Sequence, residues 1–171
     1  MSIGESIKRA LDCAAAALGL VICAPLFALI ALLIKLDSPG PVIFRQSRVR
    51  GDQPPDAEHP ERNTFTFLKF RSMTHNADQA VHQKYVQALI NGQAARQSNG
   101  LFKLQDKRVT RVGAFLRRTS LDELPQLWNV LRGDMSLVGP RPALPYEVGL
   151  YKPWHKARLT VTPGLTGLWQ V

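Results

Sequence analysis

An uninterrupted apolar run near the start of the chain limits most strongly how this protein can fold. Residues 14–34 comprise 21 residues without a charged side chain. That length is sufficient for a helix through the hydrocarbon core of a bilayer. A cleaved signal peptide fits less well, because its apolar region is shorter and is followed by a small-residue cleavage site, whereas Lys35 and a turn-rich segment follow here. The run therefore predicts membrane insertion.

The sequence leaves two membrane topologies open for this run. Pro25 lies at its centre and lacks the backbone N–H that a continuous helix uses there. A helix broken at this point can leave the membrane on the side it entered, whereas a helix that is only kinked would span the bilayer. Lys8 and Arg9 precede the run and Lys35 follows it, so the flanking charges show no inside–outside asymmetry.

The charge balance indicates anionic partners, since the formal net charge is +9. A nucleic-acid-binding domain would also be basic, but it would not carry a long uncharged run, so no nucleic-acid partner is expected. Cys13 and Cys23 would lie about 15 Å apart on a helix, which is too far for a disulfide. The cysteine and histidine spacing does not match a zinc site.

The remainder of the chain mixes short strands with amphipathic helices. Residues 41–44 and 64–70 are β-like runs that can pair as a hairpin, with a polar loop over residues 51–63 between them. Apolar side chains recur at helical spacing in residues 74–97 and 112–118. The predicted fold class is α/β, mostly α. We expect a single membrane-associated domain with an N-terminal membrane helix, a short β-hairpin and amphipathic helices around the active site.

Two neighbouring acids, Asp122 and Glu123, begin the stretch that is most informative about chemistry. Leucines at positions 121, 124, 127 and 131 predict one face of a helix. Ser120 and Glu123 match an N-terminal capping box, which would explain both acids without catalysis. On a helix, adjacent carboxylates point about 100° apart. Two distinct roles therefore fit this pair better than a shared one.

Basic side chains lie close to the two acids in the sequence, among them Arg117 and Arg141. Pro142 biases the backbone of Arg141 toward an extended conformation, which would hold the guanidinium outward from a turn. Guanidinium groups match phosphate oxygens in a bidentate manner. A carboxylate beside several arginines fits phosphoryl transfer, and a solvated basic face is the simpler alternative.

A series of short motifs occurs in order along essentially the whole chain. They are Lys8, Arg9 and Asp12, then PGPV at 39–42, FRQ at 44–46, KFRSM at 69–73, RVTRVG at 108–113, SLDELPQL at 120–127, GDMSLVGPRP at 133–142 and PGLTG at 163–167. Each motif alone is weak, but this ordered set resembles the monotopic phosphoglycosyl transferases. Those bacterial sugar transferases begin glycan assembly on undecaprenyl phosphate.

The resemblance implies a topology as well as an activity. It implies a re-entrant helix over residues 1–36, broken at Pro25, that enters and leaves a phospholipid membrane on one side. Lys8, Arg9 and Asp12 would lie near the membrane interface. A catalytic domain over residues 37–171 would then rest on the cytoplasmic face of the bacterial inner membrane.

The resemblance also implies a catalytic Asp-Glu pair, here Asp122 and Glu123. In such enzymes the aspartate attacks the β-phosphorus of a UDP-sugar, expels UMP and holds the sugar phosphate until a polyprenyl phosphate collects it. The two acids would bind Mg²⁺. We expect four basic side chains to bind phosphate groups: Arg141, Lys69, Arg71 and Arg117. The products would initiate exopolysaccharide, O-antigen or glycoprotein assembly.

Two departures from the family pattern accompany this expectation. Family members often have serine before the helix-breaking proline, where this chain has Ala24. They also usually continue beyond Val171 with a Gly-Arg element and further helices, so a form shortened at its C-terminus is expected. The alternative function is an inactive member that acts as a membrane scaffold in glycan assembly. The sequence is compatible with both a monomer and a homodimer.

Overall fold

A computed structural model describes residues 3–51, 63–76 and 108–168 of the chain. Its helices are α1 Ile3–Ile22, α2 Ala24–Asp37, α3 Arg111–Thr119, α4 Gln126–Arg132, α5 Pro145–Gly149 and α6 Pro153–Lys156. Its strands are β1 Ile43–Val49, β2 Thr64–Phe70, β3 Ser136–Val138 and β4 Gly164–Thr166. Short 3-10 turns cover Leu121–Glu123 and Ala157–Thr160. This mostly helical architecture with small sheets confirms the predicted fold class.

Two of the predicted segments lie largely outside the described residues. The helix expected over residues 74–97 is described only as far as residue 76, and the polar loop over residues 51–63 only at its two ends. The helix predicted over residues 112–118 is confirmed as α3.

The apolar run forms two helices joined by a bend. α1 ends at Ile22 and α2 begins at Ala24, with an angle of 60° between them. Pro25 lies in the first turn of α2, where a missing N–H costs little, so the break falls just before the proline. Within the described ranges no helix is by itself long and apolar enough to cross a membrane, but this bent pair passes that test by length and composition.

Both helices of the bent pair bury one side against the rest of the protein. Ala16 of α1 packs with Phe67 of β2 and Val130 of α4. Ile30 and Ile34 of α2 pack in a second cluster with residues of β2 and α3. The opposite side exposes large apolar side chains: Ile3, Ile7, Leu11, Leu18, Val21, Ile22, Leu29, Leu32, Leu33 and Leu36. An exposed apolar surface of this extent is typical of a membrane or protein contact.

Asp12 attaches α1 to the first strand of the small parallel sheet. The buried carboxylate accepts hydrogen bonds from Ser136 Oγ at 2.8 Å and from the Leu137 backbone N–H at 3.2 Å. Lys8 Nζ lies 3.1 Å from the same carboxylate, one helical turn earlier. The Lys8 and Asp12 predicted for the membrane interface therefore also connect α1 to β3.

Arg9 attaches α1 to α4. Its guanidinium donates to the carbonyl oxygens of Val130 at 2.6 Å and Leu131 at 2.8 Å. These carbonyls belong to the last turn of α4, where a cation complements the partial negative charge of the helix end. The contact fixes the C-terminal end of α4 against α1.

A single side-chain amide closes the outer edge of the predicted hairpin. β1 and β2 pair antiparallel, with Ile43 opposite Phe70, which confirms the hairpin, although β1 continues to Val49 and does not end at residue 44. On the other edge of β2, Asn129 Nδ2 donates to the Thr66 carbonyl at 2.7 Å, and Asn129 Oδ1 accepts from the Leu68 N–H at 3.1 Å. Asn129 of α4 is completely buried and thus acts as a third strand would.

The second sheet was not anticipated from the sequence. β3 and β4 pair in parallel, with Ser136 opposite Gly164. Gly139 N–H donates to the Thr166 carbonyl at 3.0 Å, and Gly164 N–H donates to the Pro140 carbonyl at 2.8 Å. A Cβ on Gly164 would lie 2.0 Å from the Gly139 nitrogen, so only glycine permits this approach.

Asn129→Leu is expected to lower the free energy of unfolding by about 2–6 kcal/mol, because two backbone groups at a packed interface lose their partners at about 1–3 kcal/mol each. Denaturant unfolding of the detergent-solubilised protein measures the change. Ser47→Leu, on the exposed side of β1, is the control and should change it by less than about 0.5 kcal/mol. Equal unfolding free energies for Asn129→Leu and the wild type would contradict this role of the amide.

Candidate active site

The 3-10 turn Leu121–Glu123 carries the two acids between α3 and α4. α3 ends at Thr119, and Ser120 has a left-handed backbone with φ of 57°. α4 begins only at Gln126, after Pro125, which cannot donate the N–H of a continuous helix. The predicted helix is therefore divided here into a 3-10 turn and α4, although Leu124, Leu127 and Leu131 of its apolar face pack in one cluster. Ser120 makes no side-chain capping hydrogen bond, so the capping-box interpretation is wrong.

Asp122 is a buried carboxylate with two cations as its charged neighbours. Only 7% of the residue is exposed. Burial raises the pKa of Asp122, and the charges of Lys69 from β2 and Arg117 from α3 oppose that rise without cancelling it. The geometry thus places a desolvated carboxylate between a strand and a helix that each supply a positive charge.

Glu123 shares this environment but is perturbed by a different set of neighbours. Burial is the main cause of its raised pKa, and the negative charge of Asp122 adds to it. Lys69, a hydrogen bond with Gln126 and the charge of Arg141 act in the opposite direction. Two adjacent carboxylates with raised pKa values, facing basic residues from three segments, are typical of a functional site.

Lys69 lies on the same face of β2 as the buried Phe65 and Phe67. Burial lowers the pKa of Lys69 to about 8, although the charge of Asp122 acts to raise it. Its ammonium lies 5.4 Å from the ring centroid of Phe44, the residue opposite it on β1. The ring face and the Asp122 carboxylate thus compensate in part for the loss of water around Lys69.

Arg117 precedes the two acids in the sequence, and Arg141 follows them. Arg117 Nε donates to Ser72 Oγ at 2.8 Å, which ties α3 to the residues after β2. Arg141 follows β3 and lies 3.5 Å from the buried Glu147 carboxylate. Of the predicted site residues, the structure therefore brings together Asp122, Glu123, Lys69, Arg117 and Arg141.

Arg71 has a different environment from the other predicted phosphate-binding residues. Its guanidinium is buried and donates to the carbonyl oxygens of Pro39 at 2.5 Å and Ser38 at 2.6 Å. These carbonyls lie just beyond α2, so Arg71 fixes the exit of the bent helix pair. A Cβ on Gly40 would lie 2.1 Å from Arg71 Nη1. Its role toward phosphate stays a prediction.

Sequence reasoning did not identify Arg48 and Glu147, two buried charged residues beside Arg141. Arg48 lies within the hairpin, and nothing in its local pattern distinguishes it from a solvated strand residue. Glu147 had a usable signal, since Pro145 at the first position of a helix followed by an acid at the third is an N-terminal signature. The Glu147 carboxylate accepts from the Leu144 N–H at 3.0 Å, as that signature predicts.

The two acids also fit the expected magnesium ion in their donor chemistry. No group of three or more His, Cys, Asp and Glu side chains able to hold a metal occurs within the described ranges. Mg²⁺ is, however, usually held by one or two carboxylates together with substrate phosphates and water. Asp122 and Glu123 supply two carboxylates whose mutual repulsion raises the Glu123 pKa, and a divalent cation would relieve that repulsion.

Comparison with known proteins gives consistent matches over almost the whole chain. Residues 3–171 match the bacterial sugar transferase family. The exopolysaccharide production protein ExoY of Rhizobium meliloti is 41% identical over 170 residues, which cover 99% of this chain and 70% of that protein. The UDP-glucose:undecaprenyl-phosphate glucose-1-phosphate transferase of Caulobacter vibrioides is 46% identical over 167 residues.

A third relative is the UDP-N-acetylgalactosamine-undecaprenyl-phosphate N-acetylgalactosaminephosphotransferase of Aeromonas hydrophila, 40% identical over 169 residues. These residues cover 96% of this chain but 34% of that protein, and the Caulobacter match covers 96% of this chain and 53% of its relative. The chain therefore spans between about a third and 70% of the length of these three proteins.

Lys69→Met is expected to raise the pKa of both acids further, because the lysine charge lowers both pKa values. Without that charge the ionised carboxylates are less stabilised, so each stays protonated to a higher pH. Carbon-13 NMR titration of the side-chain carboxyls measures the shift, with Asp122→Asn used to assign the Asp122 signal. Lys152→Met, an exposed lysine on another element, is the control. Unchanged titration midpoints in Lys69→Met would contradict the electrostatic arrangement.

Proposed function

This chain belongs to the bacterial sugar transferase family, and we propose from that premise that it transfers a sugar-1-phosphate from a UDP-sugar to undecaprenyl phosphate, releasing UMP. The names of the Caulobacter and Aeromonas relatives support this donor and acceptor class. The single observation that carries the proposal is the buried Asp122 carboxylate with Lys69 and Arg117 as its cationic neighbours. Such a group has the chemistry of a nucleophile at a phosphate-binding site.

In the first displacement, a carboxylate oxygen of Asp122 attacks the β-phosphorus of the UDP-sugar. The new bond joins the aspartate oxygen to phosphorus, and the bond from that phosphorus to the bridging oxygen breaks. UMP leaves with the electron pair, and the sugar phosphate stays on Asp122 as an acyl phosphate. Burial of Asp122 supports this step because it limits the access of water that would hydrolyse the intermediate.

In the second displacement, a phosphate oxygen of undecaprenyl phosphate attacks the same phosphorus. The bond to Asp122 breaks, the carboxylate is regenerated, and the product is a polyprenyl diphosphate carrying the sugar. Because the transfer is divided into two displacements, the donor and the lipid need not occupy the site together. Asp122 acts in both steps, and Glu123 stays beside it as the second carboxylate.

The basic residues around the acids have complementary roles in this proposal. Lys69 and Arg117, which face Asp122, would stabilise the negative charge on the phosphoryl group during transfer. Arg141, which faces Glu123, would bind a phosphate oxygen of the donor or acceptor. A magnesium ion held by Asp122 and Glu123 would neutralise the diphosphate and its leaving group.

The bent helix pair is proposed to lie in the cytoplasmic leaflet of the bacterial inner membrane as a re-entrant element. The 60° bend and the exposed apolar side of α1 and α2 support this topology. α1 is also tied to α4 and β3 by Arg9 and Asp12. A polyprenyl phosphate headgroup at that leaflet would then meet the site while its lipid tail stays in the membrane.

Asp122→Asn is expected to lower the rate of UMP release more than about 1,000-fold, because the nucleophile is lost. It should also prevent formation of any phosphosugar adduct. Intact-protein mass spectrometry detects the adduct when a UDP-sugar and Mg²⁺ are supplied without acceptor. A panel of UDP-sugars with undecaprenyl phosphate measures turnover. Glu5→Gln, an exposed acid-to-amide change on α1, is the control and should retain activity.

Robust turnover and adduct formation by Asp122→Asn would contradict Asp122 as the nucleophile. A wild-type protein that releases no UMP from any UDP-sugar would instead favour the membrane-scaffold alternative.

Glu123→Gln separates the roles of the two acids further. We expect it to slow UMP release while leaving an adduct on Asp122 detectable, since the nucleophile remains.

Single cysteines placed at Gly4 and Pro41, in a background with Cys13→Ala and Cys23→Ala, are expected to be labelled from the same face of oriented vesicles. Both positions are exposed, one in the first turn of α1 and one after α2. An impermeant maleimide measures the accessibility of each site. Labelling from opposite faces would mean a spanning helix and would contradict the re-entrant proposal. Pro25→Ala tests the cause of the bend, since it restores the backbone donor that the proline lacks.

A further inference from the structure

We infer that Glu147 is a positioning residue that orients the Arg141 guanidinium toward the phosphate groups of the substrate. This inference rests on the proposed function, since it concerns how that same site binds phosphate. Glu147 lies on α5 and does not belong to the group of acids and bases around Asp122. It acts on the site through Arg141, whose nearest nitrogen is 3.5 Å from Glu147 Oε1.

Glu147 is a fixed partner, whereas Arg141 is exposed enough to meet a ligand. The Glu147 side chain is 3% exposed and the Arg141 side chain 40%. The second carboxylate oxygen of Glu147 accepts from the Leu144 N–H at 3.0 Å, which locks the carboxylate at the start of α5. The 3.5 Å contact is long for a hydrogen bond, so it orients Arg141 mainly through opposite charge.

Arg141 uses only part of its donor capacity in this contact. Its Nη1 faces Glu147, and among the described residues its Nε and Nη2 have no hydrogen-bond partner. A guanidinium held by one nitrogen can present its remaining nitrogens in a fixed direction to an anion. The charge of Arg141 also opposes the burial-raised pKa of Glu123, so Arg141 lies within electrostatic reach of that acid.

Arg48 adds a second reason for a carboxylate at this position. It is buried, and it donates to the Pro142 carbonyl at 2.8 Å and to Gln46 Oε1 at 2.8 Å. Its guanidinium carbon lies 5.0 Å from the ring centroid of Phe67. These contacts fix the residue that follows Arg141 to β1, and they place a buried positive charge beside Arg141.

The charges of Arg48 and Arg141 repel each other, and Glu147 is the carboxylate that attracts both. Without the negative charge of Glu147, Arg141 would lose the carboxylate that contacts it at 3.5 Å while the repulsion from Arg48 remained. A flexible arginine then loses more conformational entropy when substrate binds, and affinity falls. The expected signature is weaker donor binding, with a smaller change in the rate of the chemical step.

A double-mutant cycle tests this coupling: wild type, Glu147→Gln, Arg141→Ala and the two combined. The glutamine oxygen still accepts from the Leu144 N–H, so the start of α5 is retained and unfolding midpoints should change little. Glu147→Gln is expected to raise KM for the UDP-sugar about tenfold, within the range of coupled neighbours, with a smaller effect on kcat. In the Arg141→Ala background it should have no further effect. Glu5→Gln is the matched control with unchanged KM.

Isothermal titration calorimetry measures the affinity of the same four proteins for UDP in the presence of Mg²⁺, where no turnover occurs. Full additivity of the two changes, or a Glu147→Gln variant with wild-type KM and UDP affinity, would overturn the inference. A wild-type protein that releases no UMP would contradict the proposed function, and the UDP affinities would still decide the coupling. UDP affinity that does not depend on Arg141 would also overturn the role of Glu147.

Discussion

The position of the two acids depends on the hydrogen bonds between the Asn129 side chain and the edge of β2. Because this buried amide pairs with backbone groups of Thr66 and Leu68, α4 cannot slide or rotate relative to the strand. The 3-10 turn that precedes α4 is thereby placed beside Lys69, the next residue along β2. The electrostatic relation of Asp122 to Lys69 is therefore a consequence of an interaction that α4 makes several residues after Asp122 in the sequence.

The burial of the charged side chains in the site lowers the stability of the folded protein. Burial raises the pKa of Asp122 and Glu123 and lowers that of Lys69, so each charge is less stable there than in water. Groups of this kind persist when the surrounding fold determines their positions. Here these positions are fixed by the hairpin, by the hydrogen bond from Arg117 of α3 to Ser72, and by the close pairing of β3 with β4.

The bent helix pair is integrated into this framework. Its inner side supplies core residues such as Ala16 and Ile34, and polar side chains of α1 bind β3 and the end of α4. Arg71 binds the carbonyls just after α2. A change in the position of the pair would therefore move the elements on both sides of the acids. This arrangement couples the proposed membrane contact physically to the turn that carries the two acids.

Local patterns in the sequence determined much of this protein: the apolar run, the hairpin, α3 and the ordered motifs that carry Asp122, Lys69 and Arg141. Such features follow from periodicity, composition and short-range backbone preferences. Only the tertiary structure decided that Ser120 does not cap a helix, that Arg71 binds backbone carbonyls, and that Asn129 completes a strand edge. The physical reason is that these outcomes depend on partners brought together from distant parts of the chain, where a polar side chain satisfies whichever backbone group the fold places beside it.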